Sequence, residues 1–316
     1  MVTVSTIIPA YNAERTIARA VESALSQDWD NHEVVVVNDG STDCTGDILA
    51  EYGDRIQVIN QANAGLSAAR NAAIRTSTGK YLAFLDSDDV WLPRKLKTMV
   101  DALERNPSAS LAFSDFTLIG DGGNECGHSA FHSLPGINRL LSEQPLPVWS
   151  FGRGILPSCW VVPRTEFEKI GGFCERFKGA GGYDDFWVLL LLREVGEFVY
   201  VPEALTLYRV GESGKSADKY EAGLRIFLDL VKERFGNSGK DLIRGVKIGQ
   251  CRSLLAKIVH QMNHADRLGA LETAARIAKL RPTYFLSHEF IERLFVPHNL
   301  RRLRDLTFSV PSGAKH

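Results

Sequence analysis

Apolar positions in the first ninety residues switch repeatedly between two periods. Residues 2–9 form a β-branched apolar run. After Tyr11-Asn12-Ala13 the apolar positions Ile17, Ala20, Val21, Ala24 and Leu25 fall at helical spacing through residues 16–26. The same order of strand, polar turn and helix recurs. Residues 33–37 are closed by Asn38-Asp39-Gly40-Ser41 before a helix over 43–52, and residues 56–60 precede Ala64-Gly65 and a helix over 68–74. Residues 81–85 run directly into Asp86-Ser87-Asp88-Asp89, and a helix over 93–106 and a strand over 110–119 follow. Alternation at this pitch predicts an α/β fold, a mostly parallel sheet flanked by helices, with ligands at the carboxyl ends of the strands. Asp39 and Asp86 both lie at such ends.

Beyond residue 120 the pattern weakens. Residues 121–157 are rich in Gly, Pro and polar side chains and show no period. Residues 161–172 and 186–195 read as helices, and 198–201 and 205–210 as two closing strands. The composition changes after Gly211, which predicts an α/β domain over 1–211 and a helical C-terminal region over 212–316. In that region Leu254, Leu255, Ile258, Met262, Leu268, Leu271, Ala274, Ala275 and Ile277 suggest a helical hairpin with one apolar face. No internal repeat is visible.

Composition narrows the class. With 316 residues, 44% of them hydrophobic and 24% charged, the chain can bury a full core. A formal net charge of −1 creates no global field for nucleic acid, so none is expected as a partner. Cys44, Cys126, Cys159, Cys174 and Cys251 are odd in number and lack metal-type pairing, which fits a reduced, cytoplasmic compartment. The N-terminal apolar run reads as a first strand rather than a leader, and no apolar stretch approaches the ~20 residues of a membrane span.

The chemistry is concentrated in the acidic run. Carboxylates delivered by a strand to the rim of a sheet are oxygen ligands of the kind that hold Mn²⁺ or Mg²⁺ together with phosphates and water. The alternative is an acidic turn that caps the following helix. Four segments occur in order: Ile7-Ile8-Pro9-Ala10-Tyr11-Asn12; Val35-Val36-Val37-Asn38-Asp39-Gly40-Ser41; Asn63-Ala64-Gly65-Leu66-Ser67-Ala68-Ala69-Arg70-Asn71; and Phe84-Leu85-Asp86-Ser87-Asp88-Asp89. Together they resemble the inverting glycosyltransferase family 2, whose nucleotide-binding domain has the GT-A fold. The resemblance is close over about the first 95 residues and looser as far as Arg209, through Gly171-Gly172-Phe173, Asp184-Asp185 and Tyr208-Arg209.

That resemblance implies a GT-A-like domain transferring a sugar from a nucleoside diphosphate sugar, UDP-linked by expectation, to a hydroxyl of a saccharide or lipid-linked saccharide. Polysaccharide or glycolipid assembly is the implied setting. By the same resemblance Pro9, Ala10 and Tyr11 hold the nucleobase, with the Tyr11 ring stacked on it, and Asp39 accepts the base N–H. Arg70 neutralises nucleotide oxygens, Asp86 and Ser87 sit on the ribose side, and Asp88 with Asp86 reaches the metal. Asp185 is the base that deprotonates the acceptor, assisted by Asp184. From the residues alone, each has a plainer role: a surface Tyr11, a turn-forming Asp39, a surface salt bridge for Arg70, and a helix N-terminal pair at Asp184-Asp185.

The chain departs from the family pattern in places. Cys174 stands where Asp is common after Gly-Gly-Phe, and the Leu-Arg that usually follows the acidic pair is shifted to Leu192-Arg193. Tyr208-Arg209-Val210-Gly211 lacks the usual His, so Ser213 or Lys215 is the expected substitute. The pairs His260/His264 and His128/His132 have metal-ligand spacing without a third ligand and are assigned no site. Trp160 is read as either a sugar-stacking or a packing residue. Residues 293–304 are basic and partly amphipathic, which suggests peripheral contact with the inner face of a membrane, although Pro297 interrupts the pattern. Two further readings stay open at this point: a nucleotide- or glycan-binding module without turnover, and a sugar-1-phosphate nucleotidyltransferase. The second would need a Gly-rich phosphate loop where Pro9-Ala10-Tyr11-Asn12 stands.

Overall fold

The computed structural model describes residues 3–128, 155–210, 217–263 and 266–286. The chain divides into two compact units, Met1–Gly239 and Lys240–His316. The first therefore includes α7 (Ala217–Phe235), which lies beyond the change in composition at Gly211.

The described strands of the first unit are β1 (Val4–Ala10), β2 (His32–Asn38), β3 (Gln57–Asn60), β4 (Tyr81–Phe84), β5 (Val90–Trp91), β6 (Ala109–Ile119), β7 (Glu125–His128), β8 (Trp160–Pro163) and β9 (Glu197–Arg209). They form one sheet in the order β3-β2-β1-β4-β8-β6-β9-β5, with β7 hydrogen-bonded to β6. The half built by β3, β2, β1 and β4 is wholly parallel, as is the long pair β6–β9. Strands β8, β5 and β7 join antiparallel.

The helices of this unit are α1 (Ile17–Leu25), α2 (Thr45–Ala50), α3 (Leu66–Thr76), α4 (Lys95–Glu104), α5 (Arg164–Lys169), α6 (Asp184–Val195) and α7. The two-residue strand period decides which helix covers which face. Ile8, Val34, Val36 and Ala83 pack with Ile17, Val21, Leu96, Met99 and Val100 of α1 and α4. Their alternates Ile7, Val35, Val37, Leu82 and Phe84 pack with Ala69, Ala73, Phe167, Val188 and Leu192 of α3, α5 and α6. Each such aliphatic side chain contributes about 1.5–3 kcal/mol on burial. This double covering holds the strand ends, and the loops they carry, in fixed positions.

Three expectations are corrected. Residues 161–172 are not one helix: Trp160–Pro163 is a strand, because the β-branched pair Val161-Val162 fills the slot between β4 and β6, and only Arg164–Lys169 is helical. The two closing strands are one, β9, which runs through Pro202. The register of β6 against β9 slips around Asp115, opposite that point, and such irregularity accommodates a residue without an N–H. Strand β7 lies inside the stretch read as loop.

The second unit contains α8 (Lys240–Asn263) and α9 (Arg267–Leu280), with Asp266 capping α9 through the Gly269 N–H at 2.9 Å. Cys251, Leu255, Ile258, Ala270, Ile277 and Tyr284 form its core. Leu268 and Leu271, expected on the apolar face, are exposed at 77% and 68%, and Ala275 is also exposed. In α9 the buried face instead follows Ala270, Thr273 and Ile277. Residues 293–304, the side chains of Met262 and His260, and His264, His132, Ser213 and Lys215 lie outside the described residues. Among the described residues no helix is long and apolar enough to cross a membrane.

Candidate active site

The carboxyl ends of β1, β2 and β4 open into a cleft of about 910 Å³. Pro9, Ala10, Tyr11, Asp39, Arg70, Asp86, Ser87, Asp88 and Asp185 all line it. Asp184, buried at 5% exposure beside Asp185, is the one sequence-selected site residue that does not.

Two loops are tied together at the end of the cleft beside β1 and β2. Asn12 adopts a left-handed φ of 50°, which Asn tolerates better than most residues, and its Oδ1 accepts the Thr42 N–H at 2.8 Å. The Asn12 N–H donates to Ser41 Oγ at 3.0 Å, and the Ala13 N–H to Thr45 Oγ1 at 2.8 Å. Tyr11, at the tip, is 52% exposed into this end of the cleft. Asp39 is nearly buried and organises the next loop: Oδ1 accepts from Gln61 Nε2 at 2.7 Å and Ala64 N at 2.8 Å, and Oδ2 from Gly65 N at 2.9 Å.

Arg70 is fully buried on α3, against the surface position suggested for it by the plainer reading. Its Nη2 donates to Asp86 Oδ1 at 2.7 Å and its Nη1 to Asp185 Oδ1 at 3.0 Å, with Asp184 Oδ2 at 3.7 Å. The guanidinium also lies 5.0 Å from the centre of the Phe173 ring. Burial works against its charge, but Asp86, Asp185 and Asp184 outweigh that and hold its pKa above the ordinary value. One cation thus joins the acidic turn to the N-terminus of α6.

Asp86, Ser87, Asp88 and Asp89 divide by exposure. Asp88 is exposed at the rim, Asp86 and Ser87 are partly buried, and Asp89 is sealed. The Asp86 N–H donates to Ser158 Oγ at 3.0 Å, and the Ser158 carbonyl accepts from Trp91 Nε1 at 2.7 Å and Thr206 Oγ1 at 3.0 Å. Arg209 closes the turn from β9: its N–H donates to Asp89 Oδ1 at 2.9 Å and its Nε to the Asp88 carbonyl at 3.1 Å. Its Nη1 reaches the carbonyls of Gly120 and Asp121 at 2.9 and 3.0 Å. Burial, then the charges of Asp86 and Asp88, push the Asp89 pKa well above its ordinary value.

Behind the turn Lys95 is fully buried, with Nζ 3.1 Å from Ser114 Oγ and 5.6 Å from the centre of the Trp91 ring. Burial lowers its pKa to about 8, against the opposing pull of Cys159 and Asp89. The same burial pushes the Cys159 thiol up to about 12. Tyr200 donates a short hydrogen bond to Asp115 nearby.

Asp86 and Asp88 supply two carboxylates on one turn, and no group of three or more potential ligands occurs among the described residues. Such a pair suits a cation that completes its shell with phosphate oxygens and water. The sequence reading missed Ser158, Thr206, Phe186, Lys219 and Tyr220, of which the last three line the cleft. Trp160 is fully buried in edge contact with Phe84, 6.2 Å between ring centres, so it packs the core.

Residues 5–152 match Glycosyl transferase family 2. Over 183 residues the chain is 32% identical to an uncharacterized glycosyltransferase of Rickettsia prowazekii, covering 57% of this chain and 56% of that one. Over 118 residues it is 37% identical to the Escherichia coli UDP-Glc:alpha-D-GlcNAc-diphosphoundecaprenol beta-1,3-glucosyltransferase WfgD, covering 37% and 46%. The matched segment spans only 26% to 60% of the length of five rickettsial relatives. The crystal structure of Staphylococcus aureus TarS 1-349 in complex with UDP superposes with a TM-score of 0.55 at 18% identity, over 89% of this chain and 91% of that one, and shares its GT-A fold. Residues 5–152, a little under half of the chain, thus carry the likeness to glycosyl transferase family 2.

Proposed function

We propose that this chain transfers a glycosyl unit from a UDP-linked sugar to a hydroxyl of a saccharide or lipid-linked saccharide, with inversion, at the cytoplasmic face of polysaccharide or glycolipid assembly. The observation that carries the reading is the convergence of Tyr11, Asp39, Asp86, Asp88 and Asp185, from four separate segments, in one cleft. The names of the similar proteins support it: WfgD uses UDP-Glc and a diphosphoundecaprenol-linked sugar, and TarS was crystallised with UDP.

In this reading the Tyr11 ring stacks on the base. An ionised carboxylate offers about four acceptor positions. Asp39 uses three of them on Gln61, Ala64 and Gly65, and the remaining one accepts the base N–H. Asp86 and Asp88 would hold Mn²⁺ or Mg²⁺ together with the diphosphate. When bound, the cation offsets the charge that builds on the leaving nucleoside diphosphate. Arg70 fixes Asp185, and Asp185 takes the proton from the acceptor hydroxyl. The new bond from that oxygen to the anomeric carbon forms as the bond to phosphate breaks from the opposite face, and the electron pair leaves with the diphosphate. A single displacement needs no protein nucleophile.

A thermal-shift panel of UDP, GDP, dTDP and CDP, each with and without Mn²⁺ or Mg²⁺, tests the donor half. Ligand at about 100 times its Kd stabilises the native state by about 2.7 kcal/mol. UDP with metal is expected to raise Tm, and Asp88→Ala to remove the metal-dependent part. A panel with no response, or a response that Asp88→Ala leaves intact, would reject this assignment.

A further inference from the structure

The start of α7 contributes an aromatic ring to the cleft from outside the family-matched segment. On α7 the positions Tyr220, Leu224, Phe227 and Val231 lie on one helical face. Leu224, Phe227 and Val231 are 4%, 2% and 0% exposed, and Phe227 packs against Tyr183 and Trp187 with ring centres 5.8 and 6.1 Å apart. Tyr220 continues this face at the start of the helix, where it lines the cleft and remains 41% exposed.

The neighbouring backbone is shaped to keep the ring there. Gly182 has φ +79°, and a Cβ on it would come within 2.2 Å of Tyr220 Cε1, so the ring lies directly on a residue that has no side chain. Gly223, one turn along α7, would place a Cβ 2.4 Å from the Gly181 carbonyl, and its bareness lets the helix seat against that loop. The Gly181 N–H donates to the Lys219 carbonyl at 3.0 Å. Gly182 is three residues before Asp185, so the Tyr220 ring and the proposed base are held by the same short segment. Phe186, next to Asp185, also lines the cleft.

Among the described residues the cleft therefore carries two exposed aromatic rings, Tyr11 from the loop after β1 and Tyr220 from the start of α7. We propose that Tyr220 is the platform for the acceptor and that the acceptor presents a pyranose ring, whose flat C–H face packs on the phenol. The inference rests on the transferase reading above. Of the three described cations that line the cleft, Arg70 is committed to carboxylates and Arg209 to three backbone carbonyls, while Lys219 directly precedes Tyr220. A flexible polyol finds less on this ring than a pyranose does, since ordering a floppy acceptor costs conformational entropy that a preformed ring avoids.

Saturation-transfer NMR on the full chain, loaded with UDP and Mg²⁺, separates the outcomes. The probes are methyl β-D-glucopyranoside and methyl N-acetyl-α-D-glucosaminide, against ribitol and glycerol 3-phosphate. The two pyranosides are expected to receive saturation at their ring C–H protons, and the acyclic probes are not. Tyr220→Ala should weaken the pyranoside signal roughly fivefold or more, while Tyr220→Phe retains it, because the contact uses the ring face rather than the hydroxyl. The UDP thermal shift should be the same in all three proteins. If UDP stabilises the wild type but pyranosides fail to bind, bind equally to Tyr220→Ala, or are matched by ribitol, the platform is overturned and the donor assignment stands. If UDP stabilises none of the proteins, the transferase reading itself fails, and the platform with it.

Discussion

Arg70 and Lys95 are both fully buried, come from helices on opposite faces of the sheet and flank the same acidic turn, yet their surroundings differ. Arg70 is ringed by Asp86, Asp184 and Asp185 and is held charged. Lys95 faces the Ser114 hydroxyl and the Trp91 ring, and its pKa falls to about 8. Both burials carry a desolvation cost. Only on the cleft side is it offset by opposite charge, which makes that side a fixed electrostatic frame and the rear a strained, weakly compensated pocket.

The sharpest way to probe the frame is to change what it holds. Asp185→Asn preserves shape and removes the proposed proton acceptor. Transfer is expected to fall by about a hundredfold or more, with the UDP-and-metal thermal shift retained, in a product assay run beside the shift assay. A variant that keeps its rate would move the base elsewhere. Next in size is Arg70→Met, which strips the cation from three carboxylates. Urea unfolding should show a loss of about 3 kcal/mol, at the lower end for a broken buried pair because water reaches Asp86 and Asp185. A loss under about 1 kcal/mol would mean that the carboxylates do not depend on the guanidinium.

The rear pocket should respond in the opposite sense. Folded Lys95 releases its proton near pH 8 and the unfolded side chain near 10.5, so between those values only the unfolded chain holds it. Protonation then favours unfolding less and less as pH rises, and stability climbs across that window by about 3 kcal/mol. Lys95→Met lacks the climb. The stability of wild type relative to Lys95→Met should therefore improve from pH 8 to 10.5, as measured by paired denaturation curves. A constant difference would show that Lys95 keeps its ordinary pKa.

What could be read in the sequence follows the range of the contacts. Strands β1 to β4 and helices α1 to α4 lie within a few residues of the expected bounds, because each is defined by its own apolar period and a local turn. Tyr11, Asp39 and Asp88 sit on loops directly after such strands, so their shared place at one end of the sheet follows from the same local pattern. Where neighbours in space are far apart in sequence, the reading failed. Strand β8 is a strand because β4 and β6 leave a slot for it, and β9 passes through Pro202 because its partner β6 slips there. Strand β5 has two residues and no period to detect. Ser158 and Arg209 brace the acidic turn across separations of 72 and 120 residues, and Tyr220 acquires its meaning only from Gly182.

The brace from Arg209 also sets an order in time. The acidic turn leaves the ribosome with Asp89, but the backbone N–H that donates to Asp89 Oδ1 arrives only 120 residues later. At about 5–20 residues per second the interval is on the order of ten seconds. During translation, then, the nascent chain has already made the carboxylates of its proposed metal site while the strand that locks them in place has yet to be synthesised.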